Sequence, residues 1–372
     1  MKAMKFFNKV KEYVPRWALI IFALTFISGI MLVIEKYSVG FADFVNDVLS
    51  RPVRPIMAWL TAWLPISLAE ILIIISPFWI GFLIYLAYKK AKQGIKQTVR
   101  YISFLLCIIC FIFISFVWTY SSGYYNTKLD TKLGFNKVNI GKTELYETSV
   151  WLSEKLNSLA DDVSYGENNA SYTDMSYDEL SKDIYHAYSK VSSQYGIIHN
   201  FPSRIKPIML SEPMTYTHIS GVYTFMTGES NLNVNYPDFI VVSSLAHEFA
   251  HQRGIAREEE ANFVSFLVCT SSDDPFIQYS GYLDVFLTVS DHLFDADPDL
   301  YFQVINSLDI RIRKDMKSYS EFFDKYRDSK ASDVAGSVND KFLQANGQEN
   351  GTKSYGMVTD LCVAYYYDLI KE

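Results

Sequence analysis

The sequence predicts an α+β protein in which three N-terminal transmembrane helices precede a helix-rich extracytoplasmic domain with a small β-sheet. Three apolar runs lie within the first 120 residues, and at 49% hydrophobic the chain is too apolar to be disordered. Charge is divided unequally, since residues 1–120 carry 13 Lys and Arg against 5 Asp and Glu, whereas residues 121–372 carry 21 against 36. We therefore expect a membrane domain at 1–120 and an outer domain at 121–372. The acidic outer domain argues against a nucleic-acid partner.

The three predicted spans cover residues 17–34, 67–88 and 101–120. The first has no charged residue and would reach about 27 Å as a helix, close to the thickness of the bilayer core. The third ends in Trp118 and Tyr120, which favour the membrane interface. A cleaved signal peptide is the alternative for the first run, but the run is long and no A-x-A-like cleavage site follows it.

The basic residues of the short loops predict the orientation. Because Lys and Arg concentrate on the cytoplasmic side, the N-terminus and the loop between the second and third spans are expected in the cytoplasm. The residues that carry this signal are Lys2, Lys5, Lys9, Lys11, Arg16, Lys89, Lys90, Lys92, Lys96 and Arg100. Three spans then place the outer domain outside the cytoplasm. The segment 51–65, with Trp59 and Trp63, is expected to lie along the interface.

The outer domain is predicted to contain a small sheet followed by a helix-rich part. A strand at 205–211 and a hairpin around Thr227, Gly228 and Glu229 provide the sheet, and Ser176 with Glu179 forms a capping box. Apolar residues at 3–4 spacing predict helices at 141–162, 175–195, 257–271, 276–294, 298–328, 332–344 and 354–371. The segment 164–174 is predicted to be a loop. Cys269 and Cys362 are expected to be buried free thiols rather than a disulfide.

A short histidine motif contains the candidate metal ligands and the candidate catalytic base. His247 and His251 are four residues apart, so a helix presents both on one face, with Glu248 beside them. This is the H-E-x-x-H pattern of zinc hydrolases, in which the metal lowers the pKa of a bound water and the glutamate accepts its proton. The pattern also occurs by chance, and a solvated helix with two surface histidines is the alternative. The strand-like segment before it, the turn at Gly254 and the acidic start of a second helix favour the metal site.

The third ligand is expected from the second helix, because catalytic zinc usually takes three protein ligands. Glu258 heads a stripe of polar and small side chains, whereas Glu259 and Glu260 align with apolar positions. We therefore expect Glu258 to bind the metal and Asn262, one turn later, to hydrogen-bond to a ligand histidine. Glu259 and Glu260 are expected to be acids that favour a helix N-terminus.

The segments HEFAH and EEEAN together resemble the gluzincin branch of zinc metallopeptidases, whose third ligand is a glutamate in an E-x-x-A-[DN] pattern. The longer string HEFAHQRGIAREEEANF, with three spans before it and YSGY and KSYG after it, resembles more closely a bacterial membrane family catalogued as domain of unknown function 3810. These resemblances imply a zincin-like fold, a Zn²⁺ ion on His247, His251 and Glu258, and Glu248 as the base. Only six residues separate His251 from Glu258, fewer than in many gluzincins, so a tight turn at Gly254 is expected.

A hydrolase of this type also needs a group that stabilises the oxyanion. The candidates are Tyr279, Tyr282, His292 and Tyr355, of which Tyr355 is favoured because it opens the last predicted helix after a loop. The segment 221–234 could offer an edge strand to a peptide, with a purely structural hairpin as the alternative.

These observations predict a membrane-anchored zinc metallopeptidase that hydrolyses peptide or protein substrates outside the cytoplasm. Two alternatives remain: a non-enzymatic zinc-binding sensor or scaffold that retains the fold, and a membrane assembly factor in which the spans carry the function. An intramembrane protease is disfavoured, because the motif lies some 125 residues beyond the last predicted span.

Overall fold

The N-terminal part of the computed structural model, which describes residues 12–136 and 138–370, is entirely helical up to residue 124 apart from short connections. Four lysines of the predicted cytoplasmic signal, Lys2, Lys5, Lys9 and Lys11, lie outside the described residues. The helices are α1 (Arg16–Tyr37), α2 (Val39–Phe44), a π-helical segment (Val45–Ser50), α3 (Val53–Ala62), α4 (Leu68–Ile74), α5 (Ser76–Ala91), α6 (Ile95–Thr119) and a 3₁₀ segment (Ser121–Tyr124).

Two of these helices, α1 and α6, are long and apolar enough to cross a membrane, with 22 and 25 residues. They pack together, and Trp118 Nε1 at the end of α6 donates to Ser28 Oγ of α1 at 3.0 Å. The predicted span 67–88 is not one straight helix: α4 and α5 meet at an angle of 58°. Pro77 explains the break, because proline has no amide hydrogen to donate to the helix and its ring clashes with the carbonyl four residues earlier. The pair is either a broken span or a re-entrant loop, and membrane association is the conclusion that the helices support.

The outer part is also mainly helical. Its helices are α7 (Leu129–Leu133), α8 (Lys142–Leu159), α9 (Tyr177–Tyr195), α10 (Ser211–Thr215), α11 (Asp238–Gln252), α12 (Glu258–Thr270), α13 (Pro275–Ala296), α14 (Pro298–Ser307), α15 (Ile310–Asp324), α16 (Lys330–Ala345), a 3₁₀ segment (Gly351–Met357) and α17 (Val358–Leu369). The predicted capping box of α9 is confirmed, since Ser176 Oγ accepts from the Glu179 amide. The single helix predicted at 298–328 is wrong: Asp309 begins a new helix and accepts from the Arg311 amide at 2.8 Å.

The strands form two small sheets. β1 (Ser164–Tyr165) and β2 (Ser171–Tyr172) pair antiparallel where a loop was expected. β3 (Ile205–Pro207), β4 (Gly221–Thr224) and β5 (Glu229–Leu232) form a three-stranded sheet in the order β3-β5-β4. β3 runs parallel to β5, and β4 runs antiparallel to it. The predicted hairpin is confirmed, whereas the strand predicted at 205–211 ends at Pro207. In the strand order β3-β5-β4, β4 lies at one edge of the sheet.

Helix α11 lies at the centre of the outer part, between the three-stranded sheet on one side and α12 and α13 on the other. Its apolar side chains, among them Phe239, Leu245 and Phe249, are fully buried. α12 and α13 approach so closely that a Cβ added at Gly281 would lie 2.5 Å from Cys269 Cβ. Cys269 and Cys362 are both buried and free, which confirms the expectation for these thiols.

Contacts cross the predicted domain boundary at residue 120. Glu229 of β5 accepts hydrogen bonds from the amides of Leu68 and Ala69 at 3.0 and 3.1 Å, at the start of α4. In the reverse direction, Glu70 of α4 accepts from the amides of Met209 and Leu210 at 2.9 and 2.8 Å. Helix α4 is therefore tied to the sheet of the outer part, and α3 also packs against β5.

Candidate metal centre

The motif histidines lie on one face of α11, as the four-residue spacing predicts. Their ring centroids are 4.5 Å apart and the rings are nearly perpendicular. The side chain of His247 is partly buried and that of His251 is buried, because α12 covers this face of the helix. The alternative of two solvated surface histidines is therefore wrong.

The end of α11 fixes the orientation of His251. The Gly254 amide donates to the His251 carbonyl at 2.9 Å and the Ile255 amide donates to the Ala250 carbonyl at 3.2 Å, which together form a Schellman turn. Gly254 has φ +93°, a conformation that favours glycine. The turn brings the Ile255 carbonyl within 2.7 Å of His251 Nδ1. A carbonyl can only accept, so Nδ1 carries the proton and Nε2 is left free to bind a metal.

Glu258, the first residue of α12, completes a three-residue cluster. Its Oε2 lies 3.3 Å from His247 Nε2 and 3.4 Å from His251 Nε2. One potential ligand atom from each of the three residues falls within 4.8 Å of the others. Two imidazole nitrogens and one carboxylate oxygen are a donor set found in catalytic zinc sites, with a fourth position left for water. The residues present therefore fit the metal that the sequence predicts.

Electrostatics within the cluster favour a bound cation. Burial alone would raise the pKa of the Glu258 carboxyl, but the charge and hydrogen bonds of His251 and His247 hold it well below its usual range. Burial alone would likewise lower the pKa of His251, but the ionised Glu258 raises it to about 9. Burial and the neighbouring His251 lower the pKa of His247. Without a metal, the cluster thus holds one proton between His251 and Glu258, in the place where a metal ion would compete for the same atoms.

Glu248 lies beside this cluster and faces the edge strand. A Cβ added at Gly221 would lie 2.6 Å from both Cγ and Oε1 of Glu248, so only glycine allows β4 to come this close. The Tyr223 amide of the same strand donates to the Glu248 carboxylate. Among the residues that the structure describes, Glu248 Oε2 is buried without a hydrogen-bond partner. Burial raises the pKa of Glu248 to about 8, and a nearby divalent cation would lower it again.

Two further predicted residues lie at the cluster. The Asn262 side chain lies against the His247 imidazole, and its Nδ2 donates to the Tyr355 carbonyl at 3.4 Å. The Tyr355 hydroxyl interacts with Glu258 and accepts from Asn339 Nδ2 at 3.3 Å. Desolvation of this hydroxyl and the charge of Glu258 raise the pKa of Tyr355, so the phenol stays protonated. Tyr355 lies in the 3₁₀ segment before α17 rather than at the start of that helix.

The other three residues predicted as possible oxyanion-stabilising groups have partners away from the metal cluster. Tyr279 is fully buried and donates to Asp315 Oδ2 at 2.8 Å. Tyr282 packs in the aromatic core against Trp151 and Phe266. His292 Nδ1 lies 3.0 Å from both the Thr288 carbonyl and Thr359 Oγ1.

The two remaining glutamates of the acidic run have structural partners. Glu260 accepts from Arg257 Nη1 at 2.8 Å and from the Leu129 amide at 2.9 Å, where α7 begins. Glu259 accepts from Gln348 Nε2 at 2.6 Å. Both acids lie in the first turn of α12, as predicted, and both also hold neighbouring segments.

Two residues from the membrane part, Tyr120 and Arg54, reach the site, although the sequence did not identify them as site residues. The Tyr120 hydroxyl, at the end of α6, lies 3.0 Å from His251 Nδ1 although 131 residues separate them. Arg54 of α3 is buried, and its Nη1 donates to the Arg253 carbonyl at 3.3 Å and its Nε to the Thr119 carbonyl at 2.9 Å. Of these two residues, only Arg54 was marked out by the sequence, because it is a cation in a mostly apolar segment that is expected to lie along the membrane interface.

Comparison with known proteins gives one match. The model of a family described as "Protein of unknown function (DUF3810)" matches residues 46–363. Searches among curated proteins and among solved structures found no match. The matched range begins in the π-helical segment and ends in α17, so it contains α3, α4 and α6 together with the metal cluster. The zincin-like fold stays a prediction, which rests on the local arrangement of α11, α12 and the sheet.

Proposed function

The chain belongs to the protein family of unknown function DUF3810, and from its site we propose that it is a membrane-anchored zinc metallopeptidase acting outside the cytoplasm. The observation that carries the proposal is the cluster of His247, His251 and Glu258, with the Glu248 carboxylate beside it and an edge strand against that carboxylate. The cluster offers ligands, the carboxylate offers a base, and the strand offers a place for a peptide.

In this proposal His247, His251 and Glu258 hold Zn²⁺. The bound ion would supply a Lewis acid that acidifies water and polarises the peptide carbonyl. The Ile255 carbonyl and the Tyr120 hydroxyl hold the His251 ring in the orientation that leaves Nε2 free.

Glu248 is the proposed general base. Its unpartnered Oε2 accepts a proton from the attacking water, whose oxygen adds to the carbonyl carbon of the peptide. The same proton then passes to the amide nitrogen as the C–N bond breaks, so the products are a carboxylic acid and an amine. The close approach of Gly221 and the Tyr223 amide hold the carboxylate in place during both transfers.

Tyr355 is the proposed oxyanion helper. A protonated phenol beside the ligand Glu258 can donate a hydrogen bond to the negative charge that develops on the carbonyl oxygen. Asn262 supports the arrangement, because it contacts both the His247 ring and the backbone of Tyr355.

The free edge of β4 is the proposed position of the peptide. β5 pairs with one edge of this strand, and the Tyr223 amide on the other edge points to Glu248. A peptide added along that edge would bring its carbonyl groups next to the cluster. We further propose three membrane crossings, with the bent pair α4 and α5 as the second and a cytoplasmic N-terminus, which places the site outside the cytoplasm.

The proposal is tested with the full-length protein in detergent or lipid. Glu248→Gln should keep one zinc per chain and lose peptide hydrolysis by about 10²- to 10⁴-fold, because the amide cannot accept the proton. Glu259→Gln is the matched control, since Glu259 is the neighbour of the ligand Glu258 in sequence but is hydrogen-bonded to Gln348 outside the metal cluster. It should retain both zinc and hydrolysis. Retained hydrolysis in Glu248→Gln would sink the assigned mechanism.

A second candidate function is a non-enzymatic zinc-binding sensor. The observation that favours it is the contact between the site and the membrane helices through Tyr120 and Arg54, which could carry the state of the metal to the spans. A sensor would bind one zinc per chain with no turnover on a broad peptide library, and its spans would change their accessibility to chemical labels when zinc is removed. A peptidase gives turnover that depends on Glu248.

A further inference from the structure

The hairpin of β4 and β5 has its tip against the end of a membrane span. Phe225, directly after β4, packs edge-on against Phe116 of α6 with ring centroids 5.4 Å apart, and stacks on Tyr120 at 6.4 Å. Phe116 is three residues before the end of α6, which corresponds to about 5 Å along a helix. The tip therefore lies beside the last turn of this span, which is the level of the membrane surface if α6 crosses the membrane as proposed.

A second, independent contact places the turn of the hairpin on α3. A Cβ added at Gly228 would lie 2.7 Å from Met57 Cβ, and Thr61 Oγ1 donates to the Thr227 carbonyl at 3.4 Å. At the other side of α3, Trp59 and Trp63 are 72% and 74% exposed. Exposed tryptophans on an amphipathic helix favour the headgroup region of a bilayer. Both contacts put the hairpin tip at the membrane surface.

The edge strand connects this tip to the metal cluster over a short distance. β4 begins at Gly221, which touches Glu248, and Phe225 follows four residues later. At about 3.3 Å per residue the strand covers about 13 Å. A peptide paired with the free edge advances at the same rate, so about four of its residues separate the bond at Glu248 from the membrane surface.

We propose that the substrates are polypeptides anchored in the same membrane and cut within a few residues of the bilayer surface. This inference rests on the proposed peptidase function and adds the class of substrate. A chain that leaves the bilayer beside α6 meets Phe225 first and can extend along β4 without a linker. Hydrolysis consumes one water and leaves a short stub on the membrane anchor, while the outer part of the substrate is released.

The experiment compares one randomised segment of about eight residues in three settings, with the full-length enzyme in liposomes. In the first it directly follows a single transmembrane helix, and in the second about 20 Gly and Ser residues separate it from that helix, which adds about 25 Å on average. In the third it is a free peptide in solution. Cleavage is measured by mass spectrometry, and the rate with Glu248→Gln is subtracted in every setting.

Cleavage of the membrane-adjacent segment should exceed that of the other two by about tenfold or more, because the anchor places it at the strand. Equal cleavage of the spaced or free segment would overturn the inference and leave the peptidase standing. Absence of Glu248-dependent cleavage in all three settings would overturn the peptidase itself, and the inference with it.

Discussion

At the scale of single residues, the position of each side chain determines which of three adjacent glutamates can bind the metal. Glu258 faces two imidazoles, Glu259 meets Gln348, and Glu260 binds Arg257 and the start of α7. Helical periodicity was sufficient to predict the first assignment, because it depends on which face of one helix points to α11. Arg257 is only three residues before Glu260, but Gln348 and the start of α7 come from distant segments, so the sequence did not indicate those two contacts.

The proton shared within the cluster makes zinc affinity depend on pH. His251 has a pKa of about 9 without metal, because Glu258 stabilises its charged form, and zinc needs the neutral ring. The proton therefore competes with zinc at every pH below 9. We expect the zinc affinity to rise by more than tenfold per pH unit from pH 6.5 to 8, because zinc binding releases the proton of His251 and also lowers the pKa of Glu248, which is about 8 without metal. The affinity should level off above pH 9. Competition with a chelator of known pH dependence measures this, and a flat affinity would contradict the assignment.

Removal of the Tyr355 hydroxyl should affect turnover rather than metal binding. Tyr355→Phe loses the donor proposed for the oxyanion and should lower kcat by about 10²- to 10³-fold while zinc per chain stays at one. Tyr172→Phe, at an exposed position in β2, is the matched control and should behave as the wild type. An unchanged kcat in Tyr355→Phe would remove Tyr355 from the reaction.

At the scale of elements, the turn after α11 links the ligand helix to the membrane part. Gly254 closes the Schellman turn, and its α-carbon faces Arg54, whose Nη1 would lie 2.1 Å from an added Cβ. The sequence predicted a tight turn from the six-residue spacing. The sequence could not predict that the Arg54 side chain also leaves no space for a Cβ at Gly254, because Arg54 lies 200 positions away in the chain.

Gly254→Ala tests both reasons for a glycine at this position, the positive φ and the close contact with Arg54. The positive φ costs about 1–2 kcal/mol for a residue with a Cβ, and the displaced guanidinium adds a cost of similar size. We expect a clear loss of thermal stability together with faster loss of zinc to a chelator. Gly196→Ala is the matched control, because it also ends a helix at positive φ, +67°, but has open space around it. Equal losses in the two variants would show that the Arg54 contact contributes nothing.

At the scale of the whole molecule, the membrane and outer parts depend on each other. Of the three spans that the apolar runs predict, two are single helices long and apolar enough to cross a membrane, since length and hydropathy are local properties, and the other is the bent pair α4 and α5. The sequence placed a domain boundary at residue 120, and the structure has hydrogen bonds of Arg54, Glu70 and Glu229 across it. Such pairings need the fold, because the partners are separated by 139 residues or more.

A fragment of residues 121–372 should therefore not reproduce the site. It lacks Tyr120, and it leaves the carboxylate of Glu229 and the carbonyl of Arg253 without their partners from α3 and α4, at about 1–3 kcal/mol for each buried group. We expect aggregation or a zinc content far below one per chain, compared with the full-length protein in detergent. A monodisperse fragment with one zinc would show that the outer part folds alone.

The central claim is that zinc on His247, His251 and Glu258 produces hydrolysis. Its most direct test is a zinc titration of metal-stripped full-length protein, in which bound zinc and the rate of peptide cleavage are measured in the same sample. The rate should rise in proportion to bound zinc and reach a plateau at one ion per chain, and Glu258→Gln should abolish the rise. One bound zinc without any cleavage, or cleavage that does not depend on zinc, would contradict the claim.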